Sequence, residues 1–431
     1  MTPTNEKKEH IVIVGGGFAG LNVAKHLDKK LYDITLIDRN NFHSFPPLFY
    51  QIASSGLDTG SISFPFRREI RKMKNVDFKM GHVKCVDTVN KTITTQYGTT
   101  SYDKLIIAAG TTNNFFGNDK LRESVFTLKS ASEAMRLKNE ILDHMERACL
   151  CKSPSDRRRM LSFVVVGAGP SGVEVAGAIG EMKKYLLSRE YPEIRRDDIS
   201  IILVEGADRV LRTMSPQASE KAYEYLGHLM VDVRLERTMT SYENNIVTLS
   251  DGEQIYCETV IWTAGITGET ISGFAPETFG PGNRFIVDEY NRVAGCDDVF
   301  ALGDIALMTT EKHKRGYPQL AQVAIQQAVN LAGNLNRHEF TSKFEYNDKG
   351  SMATVGRNRA VADLKHIHLF GRLAWMIWMF IHLISLLGMR NKLNVLINWV
   401  WAYFTYSTSL RLLVHTTKYP VRKRWDTPDN E

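Results

Sequence analysis

Six glycines in two sets are the residues of this sequence best suited to bind a phosphate-bearing ligand. They are Gly15, Gly17 and Gly20, after the β-branched run 11–14, and Gly167, Gly169 and Gly172, after the apolar run 163–166. In a G-x-G-x-x-G set the first glycine allows a tight turn, the second lets backbone approach a pyrophosphate, and the third lets a helix pack on a strand. The helix that begins there directs its N-terminus at the phosphates. The spacing therefore predicts two dinucleotide-binding units.

A carboxylate ends the next strand after each glycine set. Asp38 ends "YDITLID" and Glu205 ends "SIILVE". Each is placed to accept a hydrogen bond from a ribose hydroxyl, and an acid there repels a 2′-phosphate, which favours NADH over NADPH. Arg209 and Arg212 are close enough in sequence to soften that preference. Two such units predict either one dinucleotide site with an unused relic or two dinucleotides that meet face to face.

Three later strands must bring small residues close to whatever these units bind. They are "YDKLIIAAGTT" (102–112) with Ala109 and Gly110, "CETVIWTAGIT" (257–267) with Gly265, and "CDDVFALGDIA" (296–306) with Gly303 and Asp304. Glycine at the end of a buried strand marks a close approach of backbone to a ligand.

The composition is that of a globular protein with two or three domains, since 43% of its 431 residues are hydrophobic and 24% charged. Five cysteines at irregular spacing predict reduced thiols and no metal site, and no EF-hand pattern is present. The N-terminal residues lack the apolar run of a signal peptide, so export is not indicated.

The net charge of +6 is concentrated in 66–74 and 418–425. We interpret the first cluster as a solvated face and the second as a contact for membrane headgroups, with no nucleic acid partner.

The order of these motifs resembles the two-dinucleotide flavoprotein reductases over residues 10–330. The resemblance implies an α/β fold with two Rossmann-like dinucleotide-binding domains, as in disulfide reductases, and a C-terminal helical region that anchors the chain to a membrane. It implies FAD in the first unit, NADH in the second, and Asp304 on the ribityl chain of the flavin. The expected domains are 1–115 with 285–345 for FAD, 116–284 for NADH, and 346–431 for the membrane.

The dithiol of the disulfide reductases is missing from this sequence. The corresponding segment, 40–56, reads "NNFHSFPPLFYQIASSG", and Cys149 and Cys151 are interpreted as a surface thiol pair with no redox role. Electrons must therefore leave the flavin by another route. Sulfide-oxidising relatives, which also need cysteines against the flavin, are a weaker match.

A five-residue motif narrows the resemblance to the type II NADH:quinone oxidoreductases. Their hallmark near the flavin is A-Q-x-A-x-Q-Q, and this sequence has Ala321, Gln322, Ala324, Gln326 and Gln327 at that spacing. On a helix Gln322 and Gln326 share a face, and uncharged amides suit the carbonyls of a quinone. The alternative is that these glutamines cap or solvate the helix.

Glu174 matches a glutamate that these relatives place near nicotinamide and flavin. The resemblance implies that it positions NADH or relays a proton to the quinone, a membrane-dissolved menaquinone or ubiquinone. The alternative is a helix N-terminal carboxylate favoured by the helix dipole.

Two short apolar segments, 373–387 and 393–406, follow the glutamine motif and are joined by "GMRNK". Fifteen helical residues reach about 22 Å, short of the ~30 Å core of a bilayer, so we expect helices that lie in the interface without spanning it. Their rings, in Trp375, Trp378, Trp399, Trp401, Tyr403 and Tyr406, prefer the headgroup boundary, and His382 is expected to be interior or interfacial. The alternative is a buried helical pair or a dimer interface, and a homodimer is expected.

The expected activity is non-proton-pumping respiratory NADH:quinone oxidoreduction at the cytoplasmic side of the inner membrane. Two other classes stay open. One is a soluble NADH-dependent flavoprotein reductase that acts on a small redox protein, and the other is a non-catalytic flavoprotein that senses NADH.

Overall fold

The first sheet of the protein has five parallel strands. The computed structural model describes residues 8–118, 120–365, 367–405 and 410–413. The strands lie in the order Val299–Ala301, Lys104–Ile107, Glu9–Val14, Tyr32–Asp38 and Val76–Met80. Parallel sheets are covered on both faces, which explains why the predicted run 11–14 is apolar throughout and buried.

Two long helices cover one face of this first sheet. Phe18–His26 follows the first glycine set, and Ala321–Arg337 carries the glutamine motif. The other face packs against an antiparallel sheet of Val83–Asp87, Thr92–Thr95 and Gly98–Ser101. The strand from residues 299–301 therefore brings the late Gly-Asp pair back beside the first glycine set.

The second sheet has four parallel strands, in the order Asp232–Arg234, Ser200–Val204, Ser162–Val166 and Thr259–Trp262. One face is covered by the helices Ala131–Leu150, Pro170–Glu181 and Pro216–His228. The antiparallel strands Met239–Glu243, Ile246–Leu249 and Gln254–Tyr256 cover the other. Both sheets confirm the predicted fold class, whereas the exact domain limits stay a prediction.

The two units are tied together where the chain passes between them. Thr111–Asn113 and Ile266–Gly268 pair as antiparallel strands. Each follows one of the small-residue segments that the sequence placed near a ligand, so these segments meet at the junction of the two units.

The C-terminal region contains a three-stranded antiparallel sheet and two helices. The strands are Ser351–Thr354, Ala360–Leu364 and Ile367–Phe370, and the helices are Gly371–Ser385 and Met389–Thr405. The sequence predicted "GMRNK", residues 388–392, as the linker between the two helices, and this was wrong. The linker is residues 386–388, where Gly388 has a φ of +77°, and the residues after it are helical. Tyr406 and the cluster 418–425 lie outside the described residues. Within the described ranges, no helix has both the length and the apolarity to cross a bilayer.

Short elements complete the chain. The strands are Phe42–Ser44, Ser63–Pro65, Phe279–Gly280, Arg284–Ile286 and Ala306–Leu307; the α-helices are Phe49–Ala53, Thr59–Ile62, Phe66–Ile70, Leu121–Ser124, Pro154–Met160 and Leu187–Glu190; Met182–Leu186 is a π-helix; the 3₁₀-helices are Pro46–Leu48, Arg196–Asp198, Pro276–Thr278 and Gly303–Ile305.

Candidate functional site

The first glycine set forms a turn that tolerates no side chain at two of its positions. Gly15 has a φ of +97°, and a Cβ there would lie 2.4 Å from the carbonyl oxygen of Ala108. A Cβ on Gly20 would lie 1.9 Å from the carbonyl oxygen of Gly15. At Gly17, just before the helix Phe18–His26, a Cβ would meet nothing within 4 Å. The space above this helix N-terminus is therefore open to a phosphate-bearing ligand.

Asp38 is held beside that turn by two main-chain donors. Its Oδ2 accepts from the N–H of Gly16 and its Oδ1 from the N–H of Asn40, each at 2.7 Å. Burial raises the pKa of Asp38, and these two hydrogen bonds oppose the rise. Each carboxylate oxygen keeps a second lone pair, so the side chain can still accept from a ribose hydroxyl.

The second glycine set repeats the geometry of the first. Gly167 has a φ of +99° with the backbone of Ala264 2.9 Å from a built Cβ, and a Cβ on Gly172 would lie 1.8 Å from the carbonyl oxygen of Gly167. Gly169 again precedes the helix and faces open space. Both predicted glycine sets therefore form the turn that a dinucleotide needs.

Glu205 lines a cleft of about 370 Å³ at the second set. Its Oε2 accepts from the N–H of Ala168 at 2.6 Å and its Oε1 from that of Ala207 at 2.9 Å. Gly265, with a φ of +82°, lies in the wall of the cleft. Arg237 also lines the cleft, where it pairs with Asp251. Nothing in the sequence pattern distinguishes Arg237 from other surface arginines, so it could not be predicted as a site residue.

Neither arginine that was expected to soften the NADH preference lines this cleft. Arg212 lies 4.0 Å from the carboxylate of Asp208, and Nη2 of Arg209 donates to the carbonyl oxygen of Arg212 at 3.2 Å. Both side chains are therefore directed towards their own loop.

Asp304 lies at the end of the strand that returns to the first sheet. The N–H of Gly303, whose φ is +73°, donates to Oε1 of the buried Gln327 at 2.7 Å, which fixes the turn. Burial raises the pKa of Asp304, and the cations of Lys129 and Arg284 oppose the rise. The carboxylate therefore lies in the electrostatic field of two cations.

Lys129 reaches this carboxylate from the second unit. Its Nζ donates to the hydroxyl of Thr111 at 2.9 Å, and that hydroxyl lies 3.5 Å from Oδ2 of Asp304. Burial lowers the pKa of Lys129. Lys129 was not predicted as a site residue, because its one local feature in the sequence is that it precedes the helix cap Ser130.

The remaining predicted cofactor residues lie around the same opening. Ala109 and Gly110 follow the strand Lys104–Ile107, and Gly110 has a φ of +73°. Ala321 begins a helix that has no side-chain cap, so its first N–H groups are available to an electronegative ring atom. Together with the glycine turn, Asp38 and Asp304, these residues fit FAD in the first unit.

Gln322 and Gln326 do share a helix face, but both amides bind main chain. Gln322 donates to the carbonyl oxygen of Gly350 at 3.0 Å and accepts from the N–H of Lys349 at 3.1 Å. Gln326 donates to and accepts from the backbone of Asn347, both at 2.9 Å. The two side chains thus hold the segment 347–350 along the helix, and their contact with a quinone stays a prediction.

Glu174 is a buried carboxyl between the second unit and the C-terminal sheet. Its Oε1 lies 3.4 Å from the N–H of Thr354, whose hydroxyl is a further hydrogen-bond partner. Burial raises its pKa to about 8, and the bonds to Thr354 oppose this rise. Glu174 lies just beyond the first turn of the helix Pro170–Glu181, and its role towards NADH and quinone stays a prediction, as does the alternative of a carboxylate favoured by the helix dipole.

The cysteine-free segment 40–56 packs against the C-terminal helices. Trp378 stacks on His382 with ring centroids 4.0 Å apart, and its ring lies 6.4 Å from that of Tyr50. Burial lowers the pKa of His382 to about 4, so it is a neutral interior histidine as predicted. The indole N–H of Trp378 is buried without a partner among the described residues.

The sulfur atoms of Cys149 and Cys151 contact Glu193 and Ser153 respectively, and both thiols are free. In the described part of the chain, no group of three histidine, cysteine or acidic side chains is arranged to hold a metal ion.

Comparisons with known proteins agree on one family. The profile of the pyridine nucleotide-disulphide oxidoreductases matches residues 9–328, and that of the NDH2 C-terminal domain matches 349–406. The type II NADH:quinone oxidoreductase Ndh of Mycobacterium tuberculosis is 33% identical over 93% of this chain and 89% of its own.

Solved structures show the same fold over nearly the whole chain. NDH2 from Plasmodium falciparum, in complex with NADH, superposes with a TM-score of 0.87 at 22% identity, over 95% of this chain and 100% of that one. The sulfide:quinone oxidoreductase of Aquifex aeolicus superposes less closely, with a TM-score of 0.71 at 18% identity over 93% and 96% of the two chains. From the profiles and the mycobacterial relative, this chain belongs to the type II NADH:quinone oxidoreductases.

Proposed function

We propose that this chain oxidises NADH with a membrane quinone as electron acceptor and pumps no protons. The observation that carries the proposal is the pair of complete dinucleotide turns, each with its carboxylate, together with the absence of cysteine from segment 40–56. Gly15, Gly17, Gly20, Asp38 and Asp304 would hold FAD, which would supply two-electron redox chemistry between NADH and the quinone. The chain holds NADH through the second glycine set and Glu205, and FAD through the first set, Asp38 and Asp304.

Glu174 is proposed to hold a proton for the quinone. Reduction of a quinone to a quinol takes up protons as well as electrons. A carboxyl with a pKa of about 8 is mainly protonated at neutral pH, so it can act as a general acid there. Its burial beside the C-terminal sheet keeps bulk water from exchanging this proton freely.

The quinone ring is proposed to approach the aromatic wall of segment 40–56 and the C-terminal helices. The unpartnered indole N–H of Trp378 is a donor suited to a quinone carbonyl. Gln322 and Gln326 are proposed to shape the same site. Because both amides bind backbone, replacing either by leucine should raise the KM for quinone through displacement of 347–350, with the rate of reduction by NADH unchanged.

A continuous apolar surface on the two C-terminal helices is proposed to lie on the membrane. Ala374 and Trp378 are buried on the first helix and Val395 on the second. The opposite faces expose apolar side chains at helical spacing, and these are Leu373, Met376, Phe380 and Ile384 on the first helix and Leu393, Ile397, Val400 and Phe404 on the second. A patch of this kind marks an interaction surface. We name these eight residues the apolar face.

The basic cluster 66–74 is proposed to extend this membrane contact, which revises our interpretation of it as a solvated face. Gly388 packs on the ring of Phe64, and Nδ2 of Asn391 donates to the carbonyl oxygen of Ser63 at 2.9 Å. The guanidinium of Arg68 lies 5.6 Å from the Phe64 ring. Exposed cations that adjoin an exposed apolar face suit anionic headgroups, because each contributes about 1 kcal/mol at such a surface.

Vesicle flotation tests this surface. Phe380→Ser with Ile397→Ser should abolish flotation with every vesicle, and neutralising Arg68, Arg71 and Lys72 to glutamine should reduce it only with phosphatidylglycerol vesicles. The matched control neutralises Lys312, Lys314 and Arg315, three exposed cations of another loop. Equal loss in test and control variants would refute the assignment of the basic cluster. A peripheral location on the cytoplasmic side of the inner membrane is the corresponding proposal for the cell.

A homodimer is proposed as well, with part of the apolar face between two copies. Light scattering of the detergent-solubilised protein tests it: the mass of two chains supports the dimer, and Phe380→Ser should then shift the mass towards one chain. A single-chain mass for the unaltered protein would refute it.

Anaerobic stopped-flow tests the reaction itself. Mixing with NADH should bleach the flavin absorbance rapidly, and a short-chain quinone should restore it rapidly. Bleaching without recovery would reject the quinone and favour a soluble protein acceptor. Slow recovery with every acceptor would favour the NADH-sensing alternative.

A further inference from the structure

A chain of hydrogen bonds connects the last helix to Glu174. The indole Nε1–H of Trp399 donates to Oε1 of Gln51 at 2.8 Å, and Nε2 of Gln51 lies 3.0 Å from the hydroxyl of Tyr50. That hydroxyl lies 2.9 Å from Oγ1 of Thr354, and the main-chain N of Thr354 lies 3.4 Å from Oε1 of Glu174. The chain thus crosses from the C-terminal helix, through segment 40–56, to the buried carboxyl.

The direction of every bond in this chain is fixed by its first member. An indole N–H can only donate, so Gln51 must turn its oxygen to Trp399 and its NH₂ to Tyr50. An amide NH₂ can also only donate, so the Tyr50 hydroxyl accepts from it and gives its single proton to Thr354. The Thr354 hydroxyl then has its own proton available for the carboxyl of Glu174. Four donors in sequence therefore point at Glu174.

We propose that Trp399 and Gln51 are positioning residues for Glu174, and that the seating of the last helix on segment 40–56 sets the proton affinity of that carboxyl. A donor directed at a carboxyl favours its ionised form, so an intact chain holds Glu174 at a lower proton affinity than burial alone would give. The catalytic consequence, but not the titration itself, rests on the function proposed for Glu174.

The hydrogen-bond chain is the main control on the ionisation of Glu174, apart from burial. Among the described residues, burial and the two bonds from Thr354 are what act on it. Tyr50, from the helix Phe49–Ala53, is a titratable neighbour of Glu174, and burial keeps it a neutral phenol. Glu181 lies further along Pro170–Glu181, the helix that carries Glu174, and Arg357 and Arg359 offset its charge.

Infrared difference spectroscopy of the full-length, FAD-loaded protein follows the ionisation directly. The carbonyl stretch of protonated Glu174 is recorded as a function of pH and identified by its loss in Glu174→Gln. Trp399→Phe keeps an aromatic ring but removes the indole N–H, so the side-chain amide of Gln51 can flip. Gln51→Glu replaces the donor NH₂ by an acceptor oxygen in the middle of the hydrogen-bond chain. The Tyr50 hydroxyl then donates its proton to residue 51 and no longer to Thr354. Each variant is recorded against the same variant carrying Glu174→Gln.

The proposal expects the titration midpoint of Glu174 to rise by about 0.5 to 1 pH unit in Trp399→Phe, the equivalent of one neutral hydrogen bond. It expects a larger rise in Gln51→Glu, and a parallel shift in the pH profile of kcat with quinone. The control is Trp375→Phe, because the Trp375 ring stacks on Tyr403 at 6.1 Å and takes no part in the chain. Its titration should overlay that of the unaltered protein.

Superimposable titrations for Trp399→Phe, Gln51→Glu and the unaltered protein would overturn the proposal. A shifted infrared titration with an unshifted kcat profile would support the hydrogen-bond chain and reject the proton-donor role of Glu174. The two failures are therefore distinguishable.

Discussion

Replacing Glu174 by glutamine should remove a loss of stability that the protein suffers as the pH rises. In the unfolded chain this carboxyl ionises near its ordinary pKa of 4.5, whereas in the folded protein it keeps its proton up to about pH 8. Below pH 4.5 the carboxyl is protonated in both states, so it adds no pH dependence to the stability. Between these values only the unfolded state gives up its proton, so the free energy of unfolding falls as the pH rises.

The size of this effect follows from the two pKa values. A rise from 4.5 to about 8 corresponds to about 5 kcal/mol of lost stability above pH 8. For a chain of 431 residues the unfolding entropy is about 0.9 kcal/mol per kelvin. About 4 kcal/mol of this loss falls between pH 5 and pH 9, so the melting temperature should fall by about 4 °C more in the unaltered protein than in Glu174→Gln over that range.

Scanning calorimetry of both proteins across this range measures the difference. Glu311→Gln, which replaces an exposed carboxyl, is the control and should behave like the unaltered protein. Melting temperatures of Glu174→Gln and the unaltered protein that run parallel from pH 5 to pH 9 would refute the argument that burial dominates this carboxyl.

Other changes test the two dinucleotide sites. Gly172→Ala should abolish NADH binding with FAD retained, because its Cβ would lie 1.8 Å from the carbonyl oxygen of Gly167, whereas Gly227→Ala, with open space around it, should bind NADH normally in a titration. Glu205→Gln loses a charge-assisted bond, so kcat/KM for NADH should fall about 10- to 100-fold and the ratio of NADH to NADPH rates should fall with it; an unchanged ratio would refute its role. Lys129→Met removes a cation beside Asp304 and should lower the ratio of flavin to protein after purification; full flavin occupancy would contradict this.

The parts of the fold that follow from local pattern could be predicted from the sequence. The strands before both glycine sets, and the strand that ends at Asp38, lie within a few residues of the predicted ones, because buried parallel strands need continuous apolar runs. The turn geometry at Gly15 and Gly167 also follows from the spacing, since only glycine suits a positive φ at such close approach.

Long-range contacts could not be predicted in this way. Lys129 lies in the electrostatic environment of Asp304 although 175 residues separate them, and nothing in its local sequence shows this, whereas the motif placed Gln327 near the flavin without showing its bond to the N–H of Gly303. The bonds from the amides of Gln322 and Gln326 to residues 347–350 are a second example, whereas their contact with a quinone stays a prediction. Periodicity gives the face of a helix but not what packs against it.

The bond from Gln51 to Trp399 spans 348 residues, and this separation constrains when the protein can mature. At ~5–20 residues per second, a ribosome needs about 20 to 70 s to make the chain between these two positions. Until the last helix has been made, segment 40–56 lacks part of what it packs against, and until residue 301 has been made the first sheet also lacks its strand Val299–Ala301. The packing of segment 40–56 is therefore a late event, completed only after the last helix has left the ribosome, and a chain truncated before residue 399 would lack the partner that Gln51 finds in Trp399.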